Sequence, residues 1–450
     1  MVNNSEKKLP RFLYGQGDRI ALIKKVLQHF GQPDKDFAII HVCGTNGKGS
    51  TCSMVEALLR NMGYRTGLFT SPFIMNVTES IRINNKMLSE VKLADYISTI
   101  EDALEKMELS RTTLSSFEML FTAAMLCFSD NKVEYVVLEC GLGGELDATN
   151  AVIQTAYSVF TKIGLDHTKI LGETISEIAA TKSKIIREKS DVIVAPNQRQ
   201  QALDIIKKQA QKQRARIYQA DKLDLVVVKT RKTSQRMRLK FNDNFFEFEY
   251  SLLGTYQKEN LATVLTWLKV FISKQKCKIN CPNLLKKTMS NLAIPGRFER
   301  ISEEPVVILD AAHNLDGIKA FVKTVNALYP DVEKKVIVGF LKDKDFKHCL
   351  AELIKLKKAS FVLTEPDNPE RKLSARKLQE NFCALSSQCP PAFDDPKDAL
   401  AYALKTNNNK NSLILVVGSF YVLKVIRSCF VDRKGNYKVD YQEGNKRLGK

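Results

Sequence analysis

The sequence predicts an α/β protein built from two layered domains, and three observations predict this class. Short apolar runs alternate with longer amphipathic stretches over roughly the first 190 residues, three short alternating runs follow, and a second alternating series comes after residue 297. Hydrophobic residues form 44% and charged residues 26% of the 450-residue chain, which is the composition of a folded globular protein. We therefore expect an N-terminal doubly wound domain with a phosphate-binding loop and a small antiparallel segment, followed by a C-terminal Rossmann-like α/β domain.

The N-terminal domain is predicted to begin with a buried strand and an amphipathic helix. The apolar run FAIIHV at 37–42 predicts the strand, and apolar residues on one face over 50–62 predict the helix after a glycine-rich turn. VEYVVLEC at 133–140 is apolar on both faces apart from its two glutamates, as in a central parallel strand. The same patterns predict strands over 65–70, 157–163 and 192–195, and helices over 117–128 and 173–188.

The middle of the chain has a different pattern. LDLVVVK, RMRLKF and FFEFEY, within 223–250, alternate polar and apolar residues and predict a small antiparallel segment. Helical spacing follows over 256–274, and the segment at 294–297 interrupts the pattern as a linker.

The second alternating series predicts a nucleotide-fold-like domain of about 130 residues. Its predicted strands are 306–309, 335–340, 360–363 and 413–417, and its predicted helices are 317–328, 346–356, 374–384 and 396–404. We therefore place the N-terminal domain at 1–296, the C-terminal domain at 297–431 and a polar tail at 432–450.

Composition and charge limit the classes of partner. The formal net charge of +19 favours anionic partners such as nucleotides or polyacidic small molecules, but no helix-turn-helix, RNA-binding or zinc-finger pattern indicates nucleic acid. No run approaches the roughly 20 apolar residues of a membrane span, and the opening residues lack the apolar core of a signal peptide. We therefore expect a cytoplasmic protein without a membrane partner. The ten cysteines form no CxxC pair, so we expect reduced thiols and no zinc site.

The segment GTNGKGST at 44–51 has the properties of a phosphate-binding loop. It follows a predicted strand and opens a helix, so its glycines can turn backbone N–H groups toward phosphate oxygens at a helix N-terminus. Lys48 can neutralise phosphate charge, and the hydroxyl of Ser50 or Thr51 can approach a metal ion. The spacing is shorter than GxxxxGK[ST], because Gly49 separates the lysine from the serine. A glycine-rich turn with a structural role is the alternative.

Two further strand ends carry polar groups. Glu139 lies near the end of the strand predicted at 133–140, where an acid can reach the magnesium ion of a nucleotide; a capping acid is the alternative. His167 follows the strand at 157–163 and is either a site residue or a hydrogen-bonded structural histidine. Lys182 lies within a predicted helix, and its position alone predicts a solvated lysine.

A third group of polar residues, DAAHN at 310–314, follows a strand of the second domain, and Arg297 precedes it in the linker. A linker cation and a strand-end acid can close over a nucleotide, because crevices between domains are common ligand sites. Two polar loops with satisfied hydrogen bonds are the alternative.

Together these segments resemble the folylpolyglutamate synthase/dihydrofolate synthase family, within the Mur-type ATP-dependent amide ligases. The glycine at position 49 makes the loop resemble that of the folate branch, because cell-wall Mur ligases typically have threonine at this position. The matching motifs run in order across nearly all the chain: HVCGTNGKGS (41–50), TSP (70–72), ESIRIN (79–84), FE (117–118), LECGLGGELDATN (138–150), IGLDHTKILGETISEIA (163–179), PGR (295–297), DAAHN (310–314) and VVGSFY (416–421).

The resemblance implies ATP as co-substrate, Mg²⁺ as cofactor and specific residue roles. The implied ATP-binding residues are Gly47, Lys48, Gly49, Ser50, Asn260, Arg297 and Asp310. The implied metal ligands are Ser71, Glu139 and His167, and the implied folate contacts are Phe73, Phe117 and Glu118. Lys182 matches a lysine that CO₂ carbamylates, which converts a cation into an anion able to hold metal. The implied catalytic residues are Lys48, carbamylated Lys182 and His313.

Several positions depart from the family pattern. The departures are Phe73 for the histidine of TSPH, Ser80 for the arginine after Glu79, Glu145 for the arginine of GGR, Tyr256 for the histidine before Gln257, and Thr181-Lys182-Ser183-Lys184 for EKAG. The phosphate and metal positions are retained, whereas positions on the substrate side differ. We therefore expect the chemistry to be retained more strictly than the choice of pterin substrate.

The resemblance implies a ligase that adds L-glutamate to the carboxylate of tetrahydrofolate through an acyl phosphate, giving ADP and phosphate. His313 is a candidate for orienting the glutamate. Dihydropteroate is the alternative acceptor, for a dihydrofolate synthase or a bifunctional enzyme. A non-catalytic folate-binding paralogue and a P-loop NTPase that needs no acceptor are further alternatives. We expect a monomer.

Overall fold

The computed structural model describes residues 16–241, 244–275, 279–407 and 412–432, and arranges them in three sheets with flanking helices. The α/β class predicted from the sequence is confirmed. Of the predicted polar tail, residues 433–450 lie outside the described residues. Within the described ranges, no helix combines the length and the apolar character needed to cross a membrane.

The first sheet has eight strands, six of which run parallel. They are β1 (Ala38–Cys43), β2 (Thr66–Phe69), β3 (Ile81–Ile83), β4 (Lys86–Met87), β5 (Tyr135–Glu139), β6 (Tyr157–Phe160), β7 (Asp191–Val194) and β8 (Arg216–Gln219). The order β4-β3-β2-β5-β1-β6-β7-β8 places the strand of the phosphate loop, β1, between β5 and β6. Residues of β1, β2, β5, β6 and β7 are almost all buried, as expected for parallel strands covered on both faces, and these are the five strands that the sequence predicts for this half of the chain.

Nine helices of the described residues belong to this half of the chain. They are α1 (Arg19–His29), α2 (Lys48–Asn61), α3 (Glu90–Lys106), α4 (Ser116–Asp130), α5 (Thr168–Leu171), α6 (Ile175–Ser183), α7 (Gln200–Lys212), α8 (Thr255–Lys274) and α9 (Cys281–Met289). Helix α6 is shorter than the helix predicted at 173–188. It begins at a capping box of Thr174 and Glu177 and ends at Ser183, because Ile185 and Ile186 turn inward into the core.

The predicted antiparallel segment is a separate sheet of three strands. They are β9 (Leu225–Thr230), β10 (Gln235–Phe241) and β11 (Asn244–Tyr250), in the order β11-β10-β9. Met237 and Leu239 of β10 are buried and join a core that includes residues of α2 and α8, while the alternate side chains of β10 face solvent. The sheet therefore covers the helices that carry the phosphate loop and Asn260.

The third sheet forms the predicted Rossmann-like unit. Its strands are β12 (Glu299–Glu303), β13 (Val306–Asp310), β14 (Lys334–Val338), β15 (Ala359–Thr364), β16 (Ala392–Phe393) and β17 (Leu413–Val417), in the order β12-β13-β17-β14-β15-β16. Its helices are α10 (Leu315–Leu328), α11 (Phe346–Leu353), α12 (Ala375–Leu385), α13 (Pro396–Lys405) and α14 (Phe420–Phe430). All pairings are parallel except that of the edge strand β12.

The chain between the two large sheets is fixed to the last helix. Arg427 of α14 forms an ion pair with Glu299, with 2.9 Å between Nη2 and Oε1. The other Glu299 oxygen accepts the N–H of Gly296 at 2.8 Å. The predicted linker at 294–297, which includes Arg297, is therefore anchored to the C-terminal half of the chain.

The expectation of reduced thiols is wrong for two cysteines. Cys383 and Cys389 form a disulfide, because the chain turns back after α12 and brings the two residues to a Cα–Cα distance of 4.9 Å. Six further cysteines of the described residues are buried and form no disulfide.

We expect the tryptophan at the centre of the N-terminal core to show an unusual pair of substitution effects. Trp267 is fully buried against Tyr157 and Phe271, yet its indole N–H has no hydrogen-bond partner within the described part of the chain. Trp267→Ala should lower the free energy of unfolding by about 3 to 5 kcal/mol because it leaves a cavity. Trp267→Phe should change it by less than about 1 kcal/mol, because loss of the unsatisfied donor offsets the lost volume. Urea unfolding followed by circular dichroism measures both, and equal losses would contradict the expectation.

Candidate active site

The predicted site residues meet in one cleft of about 390 Å³ between the first and third sheets. It lies at the carboxyl ends of β1, β5, β6 and β13, where parallel α/β sheets hold their ligands. Twelve of the fifteen predicted residues line it: Gly47, Lys48, Gly49, Ser50, Ser71, Glu139, His167, Lys182, Asn260, Arg297, Asp310 and His313.

The phosphate loop is shaped by contacts with helix α8. Gly47 has a φ of +92°, and a Cβ there would lie 2.2 Å from the Oδ1 atom of Asn260, so only glycine fits. Asn260 donates to Gln257 at 3.0 Å, and Gln257 donates to the Oγ atom of Ser50 at 3.2 Å. This chain of hydrogen bonds orients the Ser50 hydroxyl at the start of α2. The Lys48 ammonium contacts only the Thr45 carbonyl, at 3.4 Å, and has no ion pair within the described residues.

Glu139 is a buried acid at the end of β5. Its side chain accepts the N–H of Ser71 at 3.2 Å and lies against the first turn of α2, 3.5 Å from a Cβ built on Gly49. Burial raises the pKa of Glu139, while the charges of Lys48 and Arg297 act in the opposite direction. Glu139, which has no ion pair among the described residues, therefore lies beside the phosphate loop, where nucleotide phosphates would bind.

These oxygen donors fit a divalent ion that also binds a nucleotide. The Glu139 carboxylate and the Ser50 and Ser71 hydroxyls are hard ligands of the kind Mg²⁺ prefers. Within the described ranges, no group of three His, Cys, Asp or Glu side chains could hold a metal ion by itself. An ion here would need phosphate oxygens and water to complete its coordination, which is the usual arrangement for Mg²⁺.

A network around Asp166 connects the two large sheets, and most of its members were not predicted. Asp166 follows β6, and its carboxylate lies 2.6 Å from the Lys344 ammonium and 3.6 Å from His313 Nε2. Asn314 donates to the same carboxylate at 3.0 Å and exchanges hydrogen bonds with Asn46 of the phosphate loop. Burial raises the pKa of Asp166, but the hydrogen bond and charge of His313 and the charge of Lys344 outweigh it and hold the pKa well below its usual range.

His167 stands beside this network. Its Nε2 atom is 3.4 Å from the Lys344 ammonium. Burial lowers the pKa of His167 to about 4, so its ring is neutral at pH 7 and can act as a ligand or hydrogen-bond partner. The signal for Lys344 in the sequence is its place just after a predicted strand of the second domain, but nothing in the sequence shows which acid it meets.

The solvated position expected for Lys182 is wrong. Its side chain is buried, with 4% of the residue exposed, and no hydrogen-bond or ion-pair partner lies within the described residues. Burial lowers its pKa, and the charge of Lys48 adds to this effect. The surrounding chain packs so closely that a Cβ on Gly144 would lie 2.8 Å from the Lys182 Cα atom. The burial of Lys182 thus results from tertiary packing, which no local sequence pattern shows.

Two departures from the family pattern have local partners. Glu145 lies 3.7 Å from the Lys184 ammonium, so the acid and one of the altered residues after Lys182 form a surface ion pair. Tyr256 donates its hydroxyl to Asp310 at 2.8 Å. Asp310 also accepts the N–H groups of residues 298 and 312, and burial raises its pKa.

Arg297 faces the cleft from the linker. Its guanidinium lies 4.9 Å from the ring centre of Phe420, in a cation–π contact, and it has no ion pair within the described part of the chain. His313 approaches the same ring at 5.9 Å.

The three predicted folate contacts lie outside the main cleft. Phe73 lines a second cavity of about 110 Å³ beside it. Phe117 packs behind the strand ends, against Phe69 and Gly141. Glu118 is engaged in an ion pair with Arg19 and in the capping box that starts α4, so its carboxylate is already used.

Comparisons with known proteins agree with this geometry. The Mur ligase middle domain matches residues 42–268, and the Mur ligase, glutamate ligase domain matches residues 296–420. The chain is 30% identical over 443 residues to the dihydrofolate synthase/folylpolyglutamate synthase of Buchnera aphidicola subsp. Baizongia pistaciae, covering 98% of this chain and 95% of that protein.

Solved structures show the same fold. The folylpolyglutamate synthase of Mycobacterium tuberculosis, solved with ADP and AMPPCP, superposes with a TM-score of 0.85 at 25% identity, covering 95% of this chain and 97% of that one. The bifunctional folylpolyglutamate synthase/dihydrofolate synthase of Yersinia pestis, solved with AMPPNP and Mn ion, gives a TM-score of 0.77 at 26% identity, covering 92% and 94%. The chain is therefore an ATP-dependent ligase of the folylpolyglutamate synthase/dihydrofolate synthase family, within the Mur ligases.

Proposed function

We propose that the enzyme joins the amino group of L-glutamate to the carboxylate of tetrahydrofolate, with conversion of ATP to ADP and phosphate. The observation that carries this proposal is the single cleft in which the phosphate loop and Glu139 face Arg297, Asp310 and His313 of the glutamate ligase half. The names of the relatives support the same reaction.

The chemistry begins with an unreactive acid. A carboxylate is a poor acyl donor, and transfer of the γ-phosphoryl group converts it into an acyl phosphate with a good leaving group. Lys48 and Arg297, which have no carboxylate partner among the described residues, are placed to stabilise negative charge on the transferring group. The glutamate amine then attacks the acyl carbon, and the tetrahedral intermediate collapses to amide and phosphate.

We assign nucleotide and metal binding to the residues of the cleft. Gly47, Gly49, Asn260 and Asp310 are proposed to complete the ATP site, and Ser50, Ser71, Glu139 and His167 to hold Mg²⁺. A bound Mg²⁺ would neutralise phosphate charge during transfer. The Mn ion in the Yersinia pestis structure supports a divalent ion in this role.

We propose that Lys182 is carbamylated. An unpaired buried ammonium is costly, so the amine is favoured in its neutral form, which is the form that attacks CO₂. The Nζ–C bond forms, one C–O π bond of CO₂ becomes the carboxylate, and one proton is released. The product is an anion on the wall of a cleft that also holds Lys48 and Arg297, two cations without an ion pair among the described residues.

The acceptor side is built from fewer groups. The His313 ring lies 3.6 Å from the Asp166 carboxylate and 5.9 Å from the centre of the Phe420 ring. We propose that His313 orients the glutamate. Phe73 is the proposed folate contact, whereas Phe117 packs against Phe69 and Glu118 is paired with Arg19. Because described residues of one chain form the whole cleft, and because ATP is the co-substrate, we propose a monomer that acts in the cytoplasm.

Dihydropteroate is the second candidate acceptor, because the relative from Buchnera aphidicola is named for both activities. We expect purified enzyme with MgATP and labelled glutamate to form product with tetrahydrofolate. Product with dihydropteroate as well would identify a bifunctional enzyme. ATP binding without product from either acceptor would refute the proposed reaction, and ATP hydrolysis without any acceptor would favour an NTPase.

Removal of the phosphate-loop cation should affect the chemical step. We expect Lys48→Ala to lower kcat by about 10²- to 10³-fold, because a positioned charge on the transferring phosphoryl group is lost. Lys207→Ala, at an exposed lysine of α7, is the matched control and should stay within about two-fold of wild type. A near-normal rate for the Lys48 variant would contradict the assignment of the loop.

Carbamylation of Lys182 predicts a dependence on CO₂. Enzyme in degassed, CO₂-free buffer should lose activity, bicarbonate should restore it, and carbon-13 bicarbonate should give a carbamate resonance. Lys182→Gln should abolish both the resonance and the activity. Lys184→Gln, two residues away, should keep both, because Lys184 lies on the surface beside Glu145. A carbamate signal that persists in Lys182→Gln would overturn the assignment.

A further inference from the structure

A second cavity lies beside the ATP cleft, and only the folate contact proposed for Phe73 has assigned it a role so far. Its volume is about 110 Å³, and it shares a wall with the cleft formed by Gly49, Ser71, Pro72, Glu139, Arg297 and Phe420. A group bound in it would therefore lie next to the position where the acyl phosphate forms.

Three acids of the described residues line this cavity: Glu139 is shared with the ATP cleft, and the other two, Glu79 and Glu56, are hydrogen-bonded within the protein. The Glu79 carboxylate accepts the backbone N–H groups of residues 74–76, at 2.9 to 3.1 Å. Glu56 accepts from Arg60 at 3.0 Å and from Thr66 at 2.7 Å. The charge of Glu79 is thus balanced by backbone N–H groups and that of Glu56 by Arg60, and neither acid forms an ion pair with Arg82 within the described residues.

Arg82 and Arg297 are the cations of this cavity that have no ion pair among the described residues, and of the two only Arg82 lies outside the ATP cleft. Arg82 lies on β3, where it pairs with Leu68 of β2, so its backbone is part of the sheet. Its Nε atom donates to the Glu79 carbonyl at 3.1 Å, and the two Nη groups have no hydrogen-bond or ion-pair partner among the described residues. The guanidinium is partly buried, and burial lowers its pKa from a value so high that it stays protonated. A protonated guanidinium whose two Nη groups are unpaired among the described residues thus belongs to a residue that lines the cavity from a strand of the first sheet.

We propose that this cavity is a carboxylate subsite in which Arg82 binds a substrate carboxylate through its two free Nη groups. A guanidinium matches a carboxylate in a planar, bidentate arrangement, which is the reason for the assignment to this chemical class. The proposal rests on the proposed function. That reaction supplies two sources of such a group, the incoming L-glutamate and the glutamyl tail of the folate, and they are distinguished by experiment.

The test compares Arg82→Gln with Lys86→Gln, which removes an exposed lysine from the adjacent strand β4. We expect Arg82→Gln to raise KM for one carboxylate substrate by about ten- to one-hundredfold, because a charge-assisted hydrogen-bond pair is lost. KM for ATP should stay within about two-fold, and Lys86→Gln should leave all three KM values unchanged. A selective rise for L-glutamate assigns the subsite to the incoming amino acid, and a rise for folate that grows from mono- to triglutamate assigns it to the tail.

Unchanged KM values for both carboxylate substrates in folded Arg82→Gln enzyme would overturn the proposal. If that variant does not fold, Arg82→Lys serves instead. It keeps the charge but not the bidentate geometry, so the same KM should rise, and an unchanged KM counts against the subsite. If the wild-type enzyme forms no product, the proposed reaction is refuted but the subsite is not. Calorimetric measurement of the binding of L-glutamate and of folate triglutamate to the wild-type and variant proteins then decides whether the subsite exists.

Discussion

The cleft depends on cations that the protein itself does not neutralise. Lys48, Lys182 and Arg297 all line it, and none has an ion pair within the described ranges. Unpaired charge with limited access to water is unfavourable, so the arrangement persists only because the apolar cores beneath β1, β5 and β13 hold its backbone in place. A bound polyphosphate, and the carbamate proposed at Lys182, would each add negative charge among these cations.

The second requirement is that the two large sheets meet in one orientation, and a single carboxylate carries much of it. Asp166 extends from the end of β6 and receives Lys344, His313 and Asn314 from the other half of the chain. Because Asn314 also exchanges hydrogen bonds with Asn46, the phosphate loop is bonded directly to the glutamate ligase half of the chain. Closure of the cleft and the position of the loop are therefore coupled, which suits a reaction whose acyl phosphate must be protected from water.

The sequence predicted those parts of the fold that local patterns determine. The buried strands β1, β5 and β6 are apolar runs, and the phosphate loop between β1 and α2 is recognisable from glycine, lysine and hydroxyl order. Among the described residues, six helices (α1, α3, α5, α7, α9 and α14) and five strands (β3, β4, β8, β12 and β16) were not predicted. The burial of Lys182, the partners of Asp166 and the Cys383–Cys389 bond could not be predicted either, since each depends on residues brought together by tertiary packing or by a turn.

Two of the departures from the family pattern form polar contacts within this chain: Glu145 pairs with Lys184, and Tyr256 donates to Asp310. Tyr256 stands where the family has histidine and donates to Asp310, an acid whose other contacts are backbone N–H groups. Burial and the charge of Asp310 raise the pKa of Tyr256 well above its usual value, so its hydroxyl remains a donor over the whole physiological range. A histidine would change its charge near neutral pH, whereas tyrosine holds the acid in one orientation regardless of pH. Tyr256 thus keeps a hydrogen-bond donor on Asp310, a buried acid that lines the cleft, at any physiological pH.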